Sequence, residues 1–241
     1  MGMPITIEIA DSSATRHALE KIFAYFVYVD EKFSTYKHTS EVMRINRGEI
    51  SGKDYSFEMR EVLALAEKTK KDTDGYFDIQ KPDGSIDPSG IVKGWAIQQA
   101  ATQLKEMGYE NFYVDAGGDI QSAGKNEKGE EWSVGIRNPF NTKEIVKIIR
   151  PRNAGVATSG TYIRGQHIYN PRAPKEELHD IVSLTVIGPD VLEADRFATG
   201  AFAMGREGIH FIEQLPGFEG YAIDEKGVAT LTSGFEMSTQ K

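Results

Sequence analysis

The run Glu193-Ala194-Asp195-Arg196-Phe197-Ala198-Thr199-Gly200 sets a carboxylate and a hydroxyl four residues apart among small and apolar residues. On a helix the two stand one turn apart on the same face. Phe197, Ala201, Phe202 and Met204 would bury that helix around them. A fold that encloses a carboxylate has to supply a counter-charge, and an oxygen-seeking cation such as Mg²⁺ is one solution. The other is an Asp capping a neighbouring loop and a Thr bonding back to its own helix. Asp190 and Glu193 have the spacing of a capping box that opens this helix.

With 241 residues, 39% hydrophobic and 27% charged, the chain has ample length for a core and an ordinary globular balance. The net charge of −8, with no long Lys/Arg cluster, argues against a general nucleic-acid binder. A phosphate-bearing substrate would need a metal, a local Lys or Arg, or backbone N–H groups to offset that field. There are no cysteines, which excludes disulfides, thiolate catalysis and zinc–thiolate sites. No apolar run is long enough to span a bilayer. The start, Met1 to Ile9, alternates like a strand and lacks a signal-peptide pattern. The expectation is a cytoplasmic chain, or an exported one whose leader has been removed.

Hydrophobic periodicity predicts helices over 14–29, 55–71 and about 90–107, the last closed by Gly108. Phe33 to Asn46 reads as a loop. Strands are expected at 5–9, 111–114, 132–136, 146–150, 155–157 and 181–187, with a hairpin over 220–232. Strands and helices alternate without a regular βαβ rhythm, which favours a single α+β domain over residues 1–241.

Several segments have the composition of ligand sites. Asp87-Pro88-Ser89-Gly90-Ile91-Val92-Lys93-Gly94 feeds the third helix, whose start offers N–H groups to an anion. Lys93 there works against the helix dipole, and the segment lacks Walker or dinucleotide spacing. Val114 to Ile120 carries paired glycines ahead of Asp119. Ala157-Thr158-Ser159-Gly160-Thr161 offers hydroxyls, Ser159 among them, that could hold phosphate or ribose. His167 and Asn170 precede a proline turn, and His167 is the histidine with a case for function. The turn and strand from Thr73 to Asp78, with Tyr76 and Phe77, and Tyr36 in Ser34-Thr35-Tyr36, could grip a planar ring or simply pack.

Taken in order, these blocks resemble the ApbE family of flavin transferases, the FAD:protein FMN transferases. The resemblance runs from the opening Met-Gly through Phe33 to Tyr36, Thr73 to Asp78, Asp87 to Gly94, Gly117 to Asp119, Ala157 to Arg164, His167 to Arg172 and Ala194 to Thr199. It implies a T-fold-related α+β domain with a mixed or antiparallel sheet and flanking helices. It also implies an Mg²⁺-dependent reaction that splits FAD at its pyrophosphate, places FMN on a Ser or Thr of an acceptor protein and releases AMP. By the same resemblance, Asp195, Thr199 and the Gly90 carbonyl hold the metal. Met1, Tyr36, Tyr76, Phe77, Asp78, Asp87, Lys93, Ser159, His167 and Asn170 fall where the family holds FAD. Asn170 stands where the family pattern has an acid, and the stretch between Asp78 and Asp87 is shorter than usual, which would open one edge of the flavin pocket.

Asp119 and His167 are both candidates, by residue type, for the base that takes the acceptor's proton. Lys93 would help neutralise phosphoryl charge, and its removal is expected to weaken FAD use without unfolding the chain. Two other readings use the same residues: an FAD pyrophosphatase yielding FMN and AMP, and a non-enzymatic FAD carrier.

Overall fold

A computed structural model describes residues 2–161, 168–175, 178 and 180–239. Strand β1 (Ile5–Ile9) is followed by helices α1 (Arg16–Phe33), α2 (Glu41–Asn46), α3 (Phe57–Asp72) and α4 (Ser89–Glu106). Strands β2 (Phe112–Ala116), β3 (Asp119–Ala123), β4 (Val134–Asn138), β5 (Asn141–Ile149), β6 (Gly155–Gly160) and β7 (Ile181–Gly188) come next. Helices α5 (Val191–Ala203) and α6 (Gly208–Glu213) and strands β8 (Glu219–Asp224) and β9 (Ala229–Leu231) complete the order, before a 3₁₀ turn over Phe235–Thr239. Seven strands form one sheet in the order β1-β2-β3-β6-β7-β8-β9, every neighbouring pair antiparallel, and β4 and β5 form a separate hairpin. The fold is α+β, as expected.

The sheet is covered on both faces, and the period-2 alternation of its strands explains how. Ala157, Leu184, Val186 and Ala222 point to α5 and α6, where Phe197, Ala201, Phe202 and Ile212 meet them. Val156, Ile187, Tyr221 and Ile223 point the other way, onto Ile136 and Ile149 of the hairpin and the fully buried Phe235. A third cluster holds α1, α3 and α4 against β2, with Ile22, Phe26, Met59, Ile97, Leu104 and Phe112 at its centre. Helix α4 is consequently buried on most sides, where α1 and α3 keep one wet face.

The structure departs from the sequence expectations at four places. Glu41–Asn46 is a short helix inside the expected loop, opened by Ser40, whose hydroxyl accepts from the Met43 amide at 3.2 Å. Tyr76-Phe77-Asp78 is not a strand: Asp74 and Gly75 have positive φ, and the Phe77 amide donates to the Thr73 hydroxyl at 3.1 Å. Asp119–Ala123 continues past the glycine turn as a full strand that links β2 to β6. Asp190 caps α5 by accepting from the Glu193 amide at 2.9 Å, while the Glu193 carboxylate turns to Arg196 instead of closing a capping box.

A candidate active-site cleft

Helices α4 and α5 cross at their N-terminal halves, and Gly94 is what lets them touch. A Cβ there would lie 2.7 Å from the Asp195 Cβ, so only hydrogen fits. The Gly94 amide donates to Asp195 Oδ2 at 2.7 Å. In a regular helix that amide serves the carbonyl of Gly90, so Gly90 competes with a carboxylate for its donor. One turn along each helix, Gly90 faces Thr199: a Cβ on Gly90 would stand 3.4 Å from Thr199 Cγ2. The early glycine turn and the late helix are therefore adjacent.

Lys93 lies between two enclosed carboxylates. Its Nζ is 2.6 Å from Asp119 Oδ2 and 3.5 Å from Asp195 Oδ1, and the two acid side chains are only 1% and 3% exposed. Asp119 Oδ1 accepts from the Thr158 amide at 3.0 Å, and Thr158 shares a hydroxyl contact with Thr185 at 2.9 Å. The group is tied across α4, α5, β3, β6 and β7. With both acids ionised, two carboxylates against one ammonium leave the group with one surplus negative charge. The Asp195 carboxyl is raised to about 7: burial is the main cause, the Lys93 charge and the Gly94 amide oppose it, and the nearby Asp119 charge adds to the rise. The lysine that works against its helix dipole is thus held by two acids.

Lys93 and Asp195 border a cleft of about 1080 Å³, together with Gly90, Ser159 and Thr199, while the enclosed Asp119 backs Lys93 without lining it. Its lining includes Tyr76, Asp78, Lys81, Asp87 and Tyr169, and also Tyr113, Asp115, Trp132 and Arg137. Phe77 borders the cleft but is 3% exposed, packed beneath Gly90, so it is chiefly a core ring. Asp78 is paired with Lys70 at 2.6 Å, and Asp87 with Lys81 at 2.9 Å. Burial works to raise Asp87, yet Lys81 and Ser89 hold it below the usual carboxylate range. The Arg172 guanidinium lies 4.7 Å over the Tyr76 ring.

Not every expected residue meets at this cleft. Tyr36 is 97% exposed and does not border it. Asn170 borders no part of it either; its Oδ1 accepts from the Arg172 amide at 2.9 Å and shapes the turn. Met1 and His167 lie outside the described residues. Sequence reasoning missed Asp115, Tyr113, Arg137, Trp132 and Thr185. Asp115 is raised by burial, with the Gly118 amide opposing and Asp119 adding to the rise. Its alternate position on a strand, facing the same way as Tyr113, was the signal available.

The donors fit a hard cation. Among the described residues no group of three or more His, Cys, Asp or Glu side chains could hold a metal. A cation at Asp195 would have to complete its shell from the Thr199 hydroxyl, the Gly90 carbonyl, water or substrate phosphate. That sparse oxygen set suits Mg²⁺ and not zinc, and the surplus buried negative charge beside it favours a cation.

The architecture is shared with solved flavin transferases. An ApbE structure from Vibrio cholerae superposes with a TM-score of 0.83 at 24% identity, covering 99% of this chain and 96% of that one. An ApbE protein from Thermotoga maritima gives 0.86 at 21% identity, covering 100% and 97%. The sequence profile of the ApbE family matches residues 1–81 and 79–222, and the chain belongs to that family. Relatives named FAD:protein FMN transferase include one from Haemophilus influenzae, 26% identical over 78% of this chain and 72% of that protein. One from Vibrio cholerae is 34% identical over 52% of this chain, and the match spans only 40% of that protein's length. For the Escherichia coli K12 relative the figures are 30%, 63% and 46%.

Proposed function

We propose that this chain is an FAD:protein FMN transferase, forming a phosphoester between FMN and a Ser or Thr of an acceptor protein. The observation that carries the reading is that Lys93 and Asp195, with Asp119 behind the lysine and Thr199 and Gly90 beside them, border a cleft large enough for a dinucleotide. The family and the relatives' names supply the substrate class.

In this reading Asp195, Thr199 and the Gly90 carbonyl hold Mg²⁺, which supplies charge neutralisation at the diphosphate when bound. Lys93 presents its ammonium to the same phosphates and offsets charge that builds on the leaving AMP. Asp119 aims Lys93 through their 2.6 Å contact and is itself fixed by the Thr158 amide. Both its oxygens being engaged, Asp119 acts as a positioning residue, which leaves His167, by residue type, as the candidate for taking the hydroxyl proton. The acceptor oxygen bonds to the phosphorus on the FMN side, the bond from that phosphorus to the bridging oxygen breaks, and AMP leaves with that oxygen. The aromatic side chains of the lining suit the flavin and adenine rings.

The test is incubation with FAD, Mg²⁺ and protein extract of the host organism. Flavin fluorescence should survive a denaturing gel on an acceptor band, and mass spectrometry should locate FMN on a Ser or Thr with AMP released in equal amount. Free FMN and AMP without any protein adduct would make the chain a hydrolase, and intact FAD would make it a carrier; either result removes this proposal.

A further inference from the structure

A reaction of this kind has a second, macromolecular substrate, and one wall of the cleft is built unlike the rest. The β4–β5 hairpin stands apart from the main sheet, and among the described residues β5 pairs along its length with β4 only. Its inward side is tied down by Ile136, Ile149 and the Lys147–Glu236 ion pair at 2.7 Å. Its other side leaves Ile145, Val146 and Ile148 at 51%, 39% and 53% exposure, with Phe140 at 59% on the tip. Ile145 folds over Gly135, where a Cβ would meet it at 2.8 Å, and both residues border the cleft together with Arg137. A long edge strand with several exposed apolar side chains is a liability that folds usually blunt. Charge adds a second clue. With Lys147 already paired to Glu236, Arg137 and Lys143 are opposed by a single acid, Glu144, on this hairpin, while the whole chain carries −8.

We propose that the outward side of the β4–β5 hairpin is the docking surface for the acceptor protein, which lays an apolar segment with acidic flanks along Ile145, Val146 and Ile148. This rests on the transferase reading. The patch runs without interruption into the cleft wall, so a segment seated on it delivers a neighbouring hydroxyl to the floor where Lys93 stands. An extended segment can add to the edge of β5 that pairs with no strand among the described residues, while its side chains meet the isoleucines.

The double variant Val146→Ser/Ile148→Ser tests this, because both side chains are exposed and neither borders the cleft. The probe is the purified acceptor identified by the gel experiment above. Losing two apolar contacts should raise the KM for the acceptor about tenfold or more, with kcat at saturating acceptor, KM for FAD and the melting temperature unchanged. Raising salt should also raise the wild-type KM for the acceptor, as expected for an acidic partner. A wild-type chain that transfers FMN, beside a variant whose acceptor KM is unchanged, overturns the docking surface alone. Sedimentation showing a wild-type dimer that the variant breaks into monomers assigns the patch to a second copy and also overturns it. A wild-type chain that transfers nothing overturns the catalytic reading, and this inference with it.

Discussion

At the residue scale, the central fact is an aspartate that the fold encloses next to a second one. Asp195 is raised to about 7, first by burial and further by Asp119. The folded metal-free chain then holds a proton that the unfolded chain gives up near the ordinary carboxylate value. From this group, stability should fall as pH rises from about 4 to about 7. A bound cation keeps the carboxylate ionised and offsets that loss. Mg²⁺ should therefore raise the melting temperature more at pH 8 than at pH 5, and Asp195→Asn should abolish the Mg²⁺ effect while the variant melts no lower than the wild type without metal. Calorimetry on both proteins with and without Mg²⁺ measures it; a shift that persists in the variant removes the metal assignment. Lys93→Ala removes the ammonium between Asp119 and Asp195. The sequence alone suggested a variant that keeps its fold. The geometry adds to that a destabilisation of roughly 3–5 kcal/mol in denaturant unfolding, along with lost turnover.

At the element scale, the α4–α5 crossing sets the spacing of the whole floor. Gly94→Ala would drive a methyl into Asp195 Cβ and Oδ2, at 2.7 and 2.9 Å. It should destabilise by about 1–3 kcal/mol and weaken Mg²⁺ binding, read as a lost thermal shift, even though no metal donor is changed. Helices α1, α3 and α4 were legible because their apolar positions recur at helical spacing over four turns or more. Helix α2 was not, because six residues are too few to show a period. Strand β3 was hidden because Gly117-Gly118 reads as the end of a structured stretch, when the pair is the tight turn of a hairpin. Tyr76 to Asp78 has the aromatic content of a strand, but positive φ at Asp74 and Gly75 turns the chain away from any sheet partner.

At the scale of the whole molecule, the sheet is sandwiched between α5 and α6 on one side and the β4–β5 hairpin with Phe235 on the other. Phe235 is 0% exposed in a short 3₁₀ turn near the end of the chain. Phe235→Ala should cost about 3–5 kcal/mol in urea unfolding, and because it seats the hairpin against the sheet, the cleft wall should loosen with it. Equal stability of the variant would mean that the hairpin is held without that ring.

Residue type and order were enough to pick out Asp195, Thr199, Gly90 and Lys93, since carboxylate, hydroxyl and glycine in family-like succession are visible in one dimension. Periodicity was enough for the long helices and the α+β class. Which of the chosen residues share a cleft was not visible, because Asp119 and Asp195 are brought to one ammonium by contacts between segments roughly 25 and 100 residues apart. Tyr36 faces solvent and Asn170 shapes a turn for the same reason: a side chain's surroundings come from what packs beside it, and local sequence carries no record of that.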